Sequence, residues 1–289
     1  MTTMKRRFVR TVLAAATAAA MLLLVGAAEA QEIQLTGPLK GAPAVRRLRL
    51  YRQGRLEIAP SVSFTLLDEY RRTILMGGQL NYNILDWLGI GIWGAAGAIS
   101  TTTDLTDRID AVAPRDPLTA VNVNHSQPTG GRASFADQTA QISWVLVPQL
   151  TFIPFRGKLA IFNKIFVDTD FYISGGPSFV GVQERQNCGG AGQLLCSNPK
   201  SFTLTSNTKI FATGAVGLTF YPAGVWSFGV EYRALPFSWN RAGFDSRGAG
   251  PNGNFPDQQV NDKDATFKFN QLVTIAIGFY IPVAPKLSD

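Results

Sequence analysis

Between Phe267 and Pro282 the chain reads FKFNQLVTIAIGFYIP, and its residues alternate in character. Phe267, Phe269, Gln271, Val273, Ile275, Ile277, Phe279 and Ile281 fall on one side, and nearly all are large and apolar. Lys268, Asn270, Leu272, Thr274, Ala276, Gly278 and Tyr280 fall on the other, and most are small or polar. Successive side chains of a strand point to opposite faces, so this stretch offers one face to hydrocarbon and the other to a cramped, hydrogen-bonding interior. Such a strand cannot cross a membrane alone, because its backbone donors and acceptors need partners that only a closed sheet supplies.

Seven earlier stretches repeat the pattern. From Arg55 onward, Leu56, Ile58, Pro60, Val62, Phe64 and Leu66 oppose Glu57, Ala59, Ser61, Ser63 and Thr65. Ile74, Met76, Leu80 and Tyr82 mark a second strand, and a tight turn at Asp86 leads into a third over Leu88–Ser100. The fourth, near 139–153, is expected to turn Ile142, Trp144, Leu146, Leu150 and Phe152 outward and Gln141, Ser143, Gln149 and Thr151 inward. A connection through Gly157 and Lys158 follows, with one helical turn expected at Leu159–Ile165. The fifth strand (168–182) sets Phe171, Ile173 and Phe179 against Asp170, Tyr172, Ser174 and Ser178, and the sixth spans 209–221. The seventh turns Trp226, Phe228, Val230 and Tyr232 out and Ser227, Gly229, Glu231 and Arg233 in.

The connections after the second and sixth strands are tight, whereas those after the third, fifth and seventh are long and polar. Short turns alternating with long loops, and strands of about ten residues or more, describe an outer-membrane barrel. The expected fold is all-β, an eight-stranded antiparallel transmembrane up-and-down β-barrel over residues 55–282. Tyr82, Trp87, Trp226 and Phe279 lie near strand ends, where interfacial aromatics belong. A soluble sandwich or lipocalin-like barrel also alternates, but its second face would carry Lys, Glu and Arg for water. Here that face is Gly, Ala, Ser, Thr and Asn.

Composition agrees. Charged residues are 16% of the chain, against about 25% in typical soluble domains. The one long apolar run, Thr11 to Ala28, follows Lys5, Arg6, Arg7 and Arg10 and ends in Ala28-Glu29-Ala30, which is the build of a cleaved bacterial secretory signal over residues 1–30. Without that leader the net charge of +7 falls to +4, and no basic patch with interleaved aromatics speaks for nucleic acid. Residues 31–54 lack any period of two and read as a periplasmic arm whose Arg46, Arg47, Arg49 and Arg52 form a solvated tether, with phosphate groups or an envelope protein as the alternative partner. Cys188 and Cys196 stand close together in a Gly-rich segment and, after export, read as one loop-closing disulfide.

Four runs carry a family resemblance: GPLKGAPAVRRLRLYRQGRLEIAPSVSFTLLDEY, NYNILDWLGIGIWGA, VPQLTFIPFRGKLAIFNK and DTDFYISGGPSFV. With them the chain resembles the outer-membrane β-barrel domain proteins abundant in myxobacteria, over nearly its whole mature length. The resemblance implies a small OmpA- or OmpW-like barrel in the outer membrane, and it implies no ligand or reaction. Outer-membrane strands usually end the chain on an aromatic residue. Here a tail, Val283–Asp289, follows, and the insertion signal falls to Gly278, Phe279, Tyr280 and Ile281.

Candidate chemistry is sparse. Gly89-Ile90-Gly91-Ile92-Trp93-Gly94 spells a dinucleotide fingerprint, but that motif works only between a strand and a helix N-terminus. This copy sits inside a strand, where its glycines make room around Trp93. His125, the sole histidine, adjoins Ser126 in a long loop with no orienting third residue, and reads as solvated. Asp104, Asp107 and Asp110 have helical spacing without the ligand density of a calcium loop, and read as a solvated face. No metal or other cofactor is expected.

Five charges fall on inward positions: Glu57, Asp170, Glu231, Arg233 and Lys268. An eight-stranded barrel is just filled by side chains, and buried charges must pair. Arg233 with Glu231 or Glu57 is the expected core pair of a plug, and Lys268 is expected in the same region. The function expected is non-enzymatic: a barrel that stabilises the envelope or presents its loops to partners, in contact with outer-membrane lipid. The alternative is a narrow channel for small or hydrophobic solutes.

Overall fold

The computed structural model describes residues 50–112, 134–161, 165–196, 198–223, 225–250, 252–282 and 286–287. Eight antiparallel strands form a closed ring in sequence order: β1 (Leu56–Leu66), β2 (Arg71–Leu85), β3 (Leu88–Thr102), β4 (Gln141–Ile161), β5 (Ile165–Arg185), β6 (Leu204–Ala223), β7 (Trp226–Trp239) and β8 (Thr266–Ile281). β8 returns to β1 from Leu56↔Ile281 to Leu66↔Gln271, which closes the ring. Outward positions carry half-exposed Ile58, Leu80, Ile90, Ile92, Leu150 and Ile277 among many others. Water would not tolerate so continuous an apolar belt, whereas hydrocarbon does. Tight turns close one end, as at Leu85↔Leu88 and Ala223↔Trp226, and the long connections gather at the other. These are called the turn end and the loop end below.

Outside the ring, Leu50–Tyr51 ahead of β1 pairs antiparallel with Lys286–Leu287 behind β8, through Leu50↔Leu287 and Tyr51↔Lys286. The leader, the arm up to residue 49 with Arg46, Arg47 and Arg49, and the loop bearing His125 lie outside the described residues.

Three local expectations are corrected. β4 and β5 each run 21 residues, to Ile161 and from Ile165, so both described ends of the helical turn expected at Leu159–Ile165 are strand, and 162–164 lie outside the described residues. Ile142 points inward: pairing steps from Ile142↔Val182 to Trp144↔Gly181, and the extra residue at Ser143 reverses the phase. The Ser143 hydroxyl satisfies itself on the Gly181 carbonyl at 2.9 Å. Finally, Asp104–Val112 forms a helix, α1, whose acids are not merely solvated: Asp110 accepts the Phe135 N–H at 2.8 Å, and Asp107 accepts the Thr102 hydroxyl at 3.3 Å.

The interior has two layers, both visible along β7. Its inward residues are Ser227, Gly229, Glu231 and Arg233 toward the turn end, then Leu235, Phe237 and Trp239 toward the loop end. The apolar layer also takes Leu75, Val145, Val180 and Leu272, and Phe211 stacks on Phe237 with centroids 4.9 Å apart. β7 passes Pro236 without harm because its ladder with β6 ends at Gly214↔Ala234, leaving an edge where a missing N–H costs no bond.

Candidate functional site

At mid-height, Glu231 and Arg233 sit two apart on β7 and therefore share the inward face. The Arg233 guanidinium is fully buried, with Nη2 at 2.8 Å and Nε at 3.0 Å from Glu231 Oε1. Nη2 also donates to Gln149 Oε1 at 2.6 Å, and the group lies 4.6 Å from the centroid of the Trp93 ring. The second Glu231 oxygen accepts the Tyr172 hydroxyl at 3.0 Å. Tyr172 reaches it because its cross-strand partner is Gly217, where any Cβ would collide with the phenol ring. Burying two ions is costly unless their remaining hydrogen-bonding capacity is met, and Gln149 and Tyr172 meet part of it.

The other inward charges do not all join this pair. Lys268 lies ten residues from Gly278 along β8, about 33 Å of strand at about 3.3 Å per residue. It stands at the loop end and meets Glu69 at 3.4 Å in a half-exposed pair, so its expected place in the lumen cluster is corrected. Asp170 is buried near the turn end, and its partner is Arg52, from the segment ahead of β1. Arg52 is thus a buried plug residue rather than part of a solvated tether. Its guanidinium lies 4.2 Å from the Tyr221 ring centroid, and the backbone N–H groups of Arg52 and Gln53 donate to Asp86 Oδ1 at 2.7 and 3.0 Å. Tyr221 in turn donates to Asp170 at 3.3 Å and lies 3.1 Å, hydroxyl to hydroxyl, from Tyr280. Arg55 covers Tyr280 at 4.9 Å and donates from Nε to the Pro282 carbonyl at 3.2 Å.

Glu57 completes the turn end, with Tyr280 and Asn81 as side-chain hydrogen-bond partners. Gly278 makes this possible, since a Cβ there would stand 2.8 Å from Glu57 Oε1. Of the four residues read as an insertion signal, Gly278 and Tyr280 therefore face the lumen, while Phe279 and Ile281 face outward. The glycine fingerprint lies within β3 as expected, but the room it makes is for Asn81: a Cβ on Gly91 would come within 2.7 Å of Asn81 Oδ1.

Between Arg52 and the Arg233 layer remains a void of about 40 Å³, lined by Glu57, Asn81, Thr151, Asp170 and Tyr172. A second, of about 10 Å³, lies beside Ser61, Trp93 and Glu231. Asn81 Oδ1, Thr151 Oγ1 and Ser61 Oγ line these voids without a hydrogen-bond partner. At about 10–15 Å³ per water, the larger void has room for a few small polar groups or waters beside Asn81 and Thr151.

Sequence reasoning missed how arginines fasten the loop end. Arg185 Nη1 donates to Gln138 Oε1 (3.3 Å) and the Gly243 carbonyl (2.9 Å), and Nη2 to the Cys196 carbonyl (3.1 Å). One side chain thereby joins the loops after β3, β5 and β7. Arg241 bridges Asp68 at 3.3 Å and Asn270 at 2.5 Å. Burial pushes the Asp68 carboxyl above the ordinary range, against the pull of Thr65 and Arg241. The signal was present in part: arginine at strand ends in a chain with so few charges.

Cys188 and Cys196 are joined in a disulfide, and Cys188 bridges to Val260 through N–H to carbonyl at 2.9 Å. Replacing both by serine should lower stability by about 2.5 kcal/mol on chain-entropy grounds for so short a loop. Denaturant unfolding checks this. Thiol labelling of the unreduced wild type at either cysteine would contradict the bond.

No family model matches the chain, and no curated protein matches it by sequence. Solved structures do align with it. The outer-membrane protein OprG from Pseudomonas aeruginosa is 13% identical, with 80% of this chain and 97% of that one covered at a TM-score of 0.41. The N-terminal β-barrel domain of Pseudomonas aeruginosa OprF is 8% identical, covering 79% and 98% at 0.39. Ail, the attachment invasion locus protein of Yersinia pestis, is 10% identical, covering 79% and 99% at 0.31. By its own strand order and register, the chain is an eight-stranded up-and-down barrel of the outer-membrane type.

Proposed function

We propose that this is a non-enzymatic bacterial outer-membrane barrel with a closed lumen, which stabilises the envelope and presents its loop end to partners outside the cell. On this reading a cleaved leader exports it, the turn end faces the periplasm, and it belongs with the barrel proteins of myxobacteria that its sequence resembles. One observation carries the reading: the lumen is filled in both layers, by Arg52–Asp170 and Glu231–Arg233 below and by Phe237, Trp239 and their neighbours above. A plugged cylinder leaves its outer wall and its loops as working surfaces. The loops are braced for that role by Arg185 and the disulfide.

The purified wild type should give little steady conductance in planar bilayers, and an unboiled sample should migrate differently from a boiled one in detergent gels. The second reading, a narrow channel, draws on the 40 Å³ void and its unpartnered polar atoms. A large, stable wild-type conductance would establish the channel and overturn the closed lumen.

A further inference from the structure

We propose that the turn end of the lumen is a receptor for a guanidinium cation, occupied in this chain by its own Arg52 and open to an external guanidinium once Arg52 is withdrawn. Arg52 precedes β1 and belongs to no strand of the ring, so taking it out breaks no ladder bond of the barrel. What holds its guanidinium does not depend on the tether. The Asp170 carboxylate pairs with it, and the Tyr221 ring lies beneath it at 4.2 Å. A free guanidinium would find the same two contacts. Its planar, weakly hydrated cation stacks on an aromatic face in a way that a compact ammonium does not.

Charge and unmet hydrogen bonding point the same way. Asp170 and Glu57 both line the void next to Arg52, and with Arg52 gone Asp170 loses its ion-pair partner. An unpaired Asp170 carboxylate in a site only 2% exposed creates a demand for a replacement cation. Asn81 Oδ1, itself buried, lines the same void and has no donor, so a ligand N–H would find a third acceptor there. The ligand class follows: a guanidinium on a narrow stem, such as an arginine side chain of a second polypeptide reaching the turn end or a small alkylguanidine. Arg52 acts toward it as a tethered competitor.

The test uses the full mature chain in detergent micelles, with methylguanidinium as probe and methylammonium and methylurea as controls. Arg52→Ala should unfold at a lower temperature than wild type. Methylguanidinium at millimolar concentration should restore the unfolding temperature saturably, methylammonium should restore less, and neutral methylurea should do nothing. Wild type should not respond. Arg52→Ala combined with Asp170→Asn should weaken methylguanidinium binding by about tenfold or more, the loss expected when a charge-assisted contact goes. If Arg52→Ala does not assemble, Arg52→Gln, which keeps part of the side chain and removes the cation, carries the same comparison. Equal responses from wild type and variant, or methylurea matching methylguanidinium, would overturn the proposal.

Discussion

Replacing Arg233 by alanine is expected to destabilise the barrel by about 3–5 kcal/mol, the cost of breaking a buried ion pair from one side. Glu231 would keep its Tyr172 bond but lose both guanidinium contacts, and Gln149 would lose its donor at 2.6 Å. Trp93 would face a void where the guanidinium now lies 4.6 Å away. Removing both charges together, as Glu231→Gln with Arg233→Met, should cost less than Arg233→Ala alone, because no uncompensated ion remains. Urea unfolding in micelles measures both. An Arg233→Ala protein as stable as wild type would show that water enters freely and that the pair does not hold the plug.

Phe237→Ala should cost a similar amount, about 3–5 kcal/mol, for a different reason. Its ring stacks on Phe211 at 4.9 Å and packs on Trp239 at 5.3 Å, so truncation leaves an apolar cavity with no charge to rehydrate. The two layers are stacked along the lumen, so neither single variant should conduct. Phe237→Ala combined with Arg233→Ala and Arg52→Ala, which also removes the turn-end closure, should. A steady current from either single variant in planar bilayers would mean that one layer alone closes the barrel.

Much of this is legible in the sequence. The faces of β1 and β8, and of β7 as far as Arg233, follow from alternation alone, because a buried face and a lipid face punish a slip of one residue. The misses have specific physical causes. Ile142 went to the wrong face because a bulge resets the phase, and the residues around it are apolar on both sides of the reset. The apolar layer was hidden behind Pro236, which reads as a strand breaker unless one knows that β6 has already left that edge. Lys268 was placed with Arg233 because periodicity gives the face of a residue but not its height. Arg52 was unreadable for a deeper reason: it lies in an aperiodic segment, and its partner Asp170 is more than a hundred positions away.

The pairing of Leu50 with Leu287 has a topological corollary. The two ends of the folded unit are already neighbours, so the place where this cylinder is cut is a property of the gene rather than of the architecture. A short linker from 287 back to 50 would turn the β8–β1 seam into one more hairpin, and new termini could fall in the long connection between β3 and β4 without touching a ladder. Seen that way the barrel has no first strand. Its eight staves are equivalent under relabelling, and Arg52, though it now precedes β1, would become a turn residue reaching into the lumen.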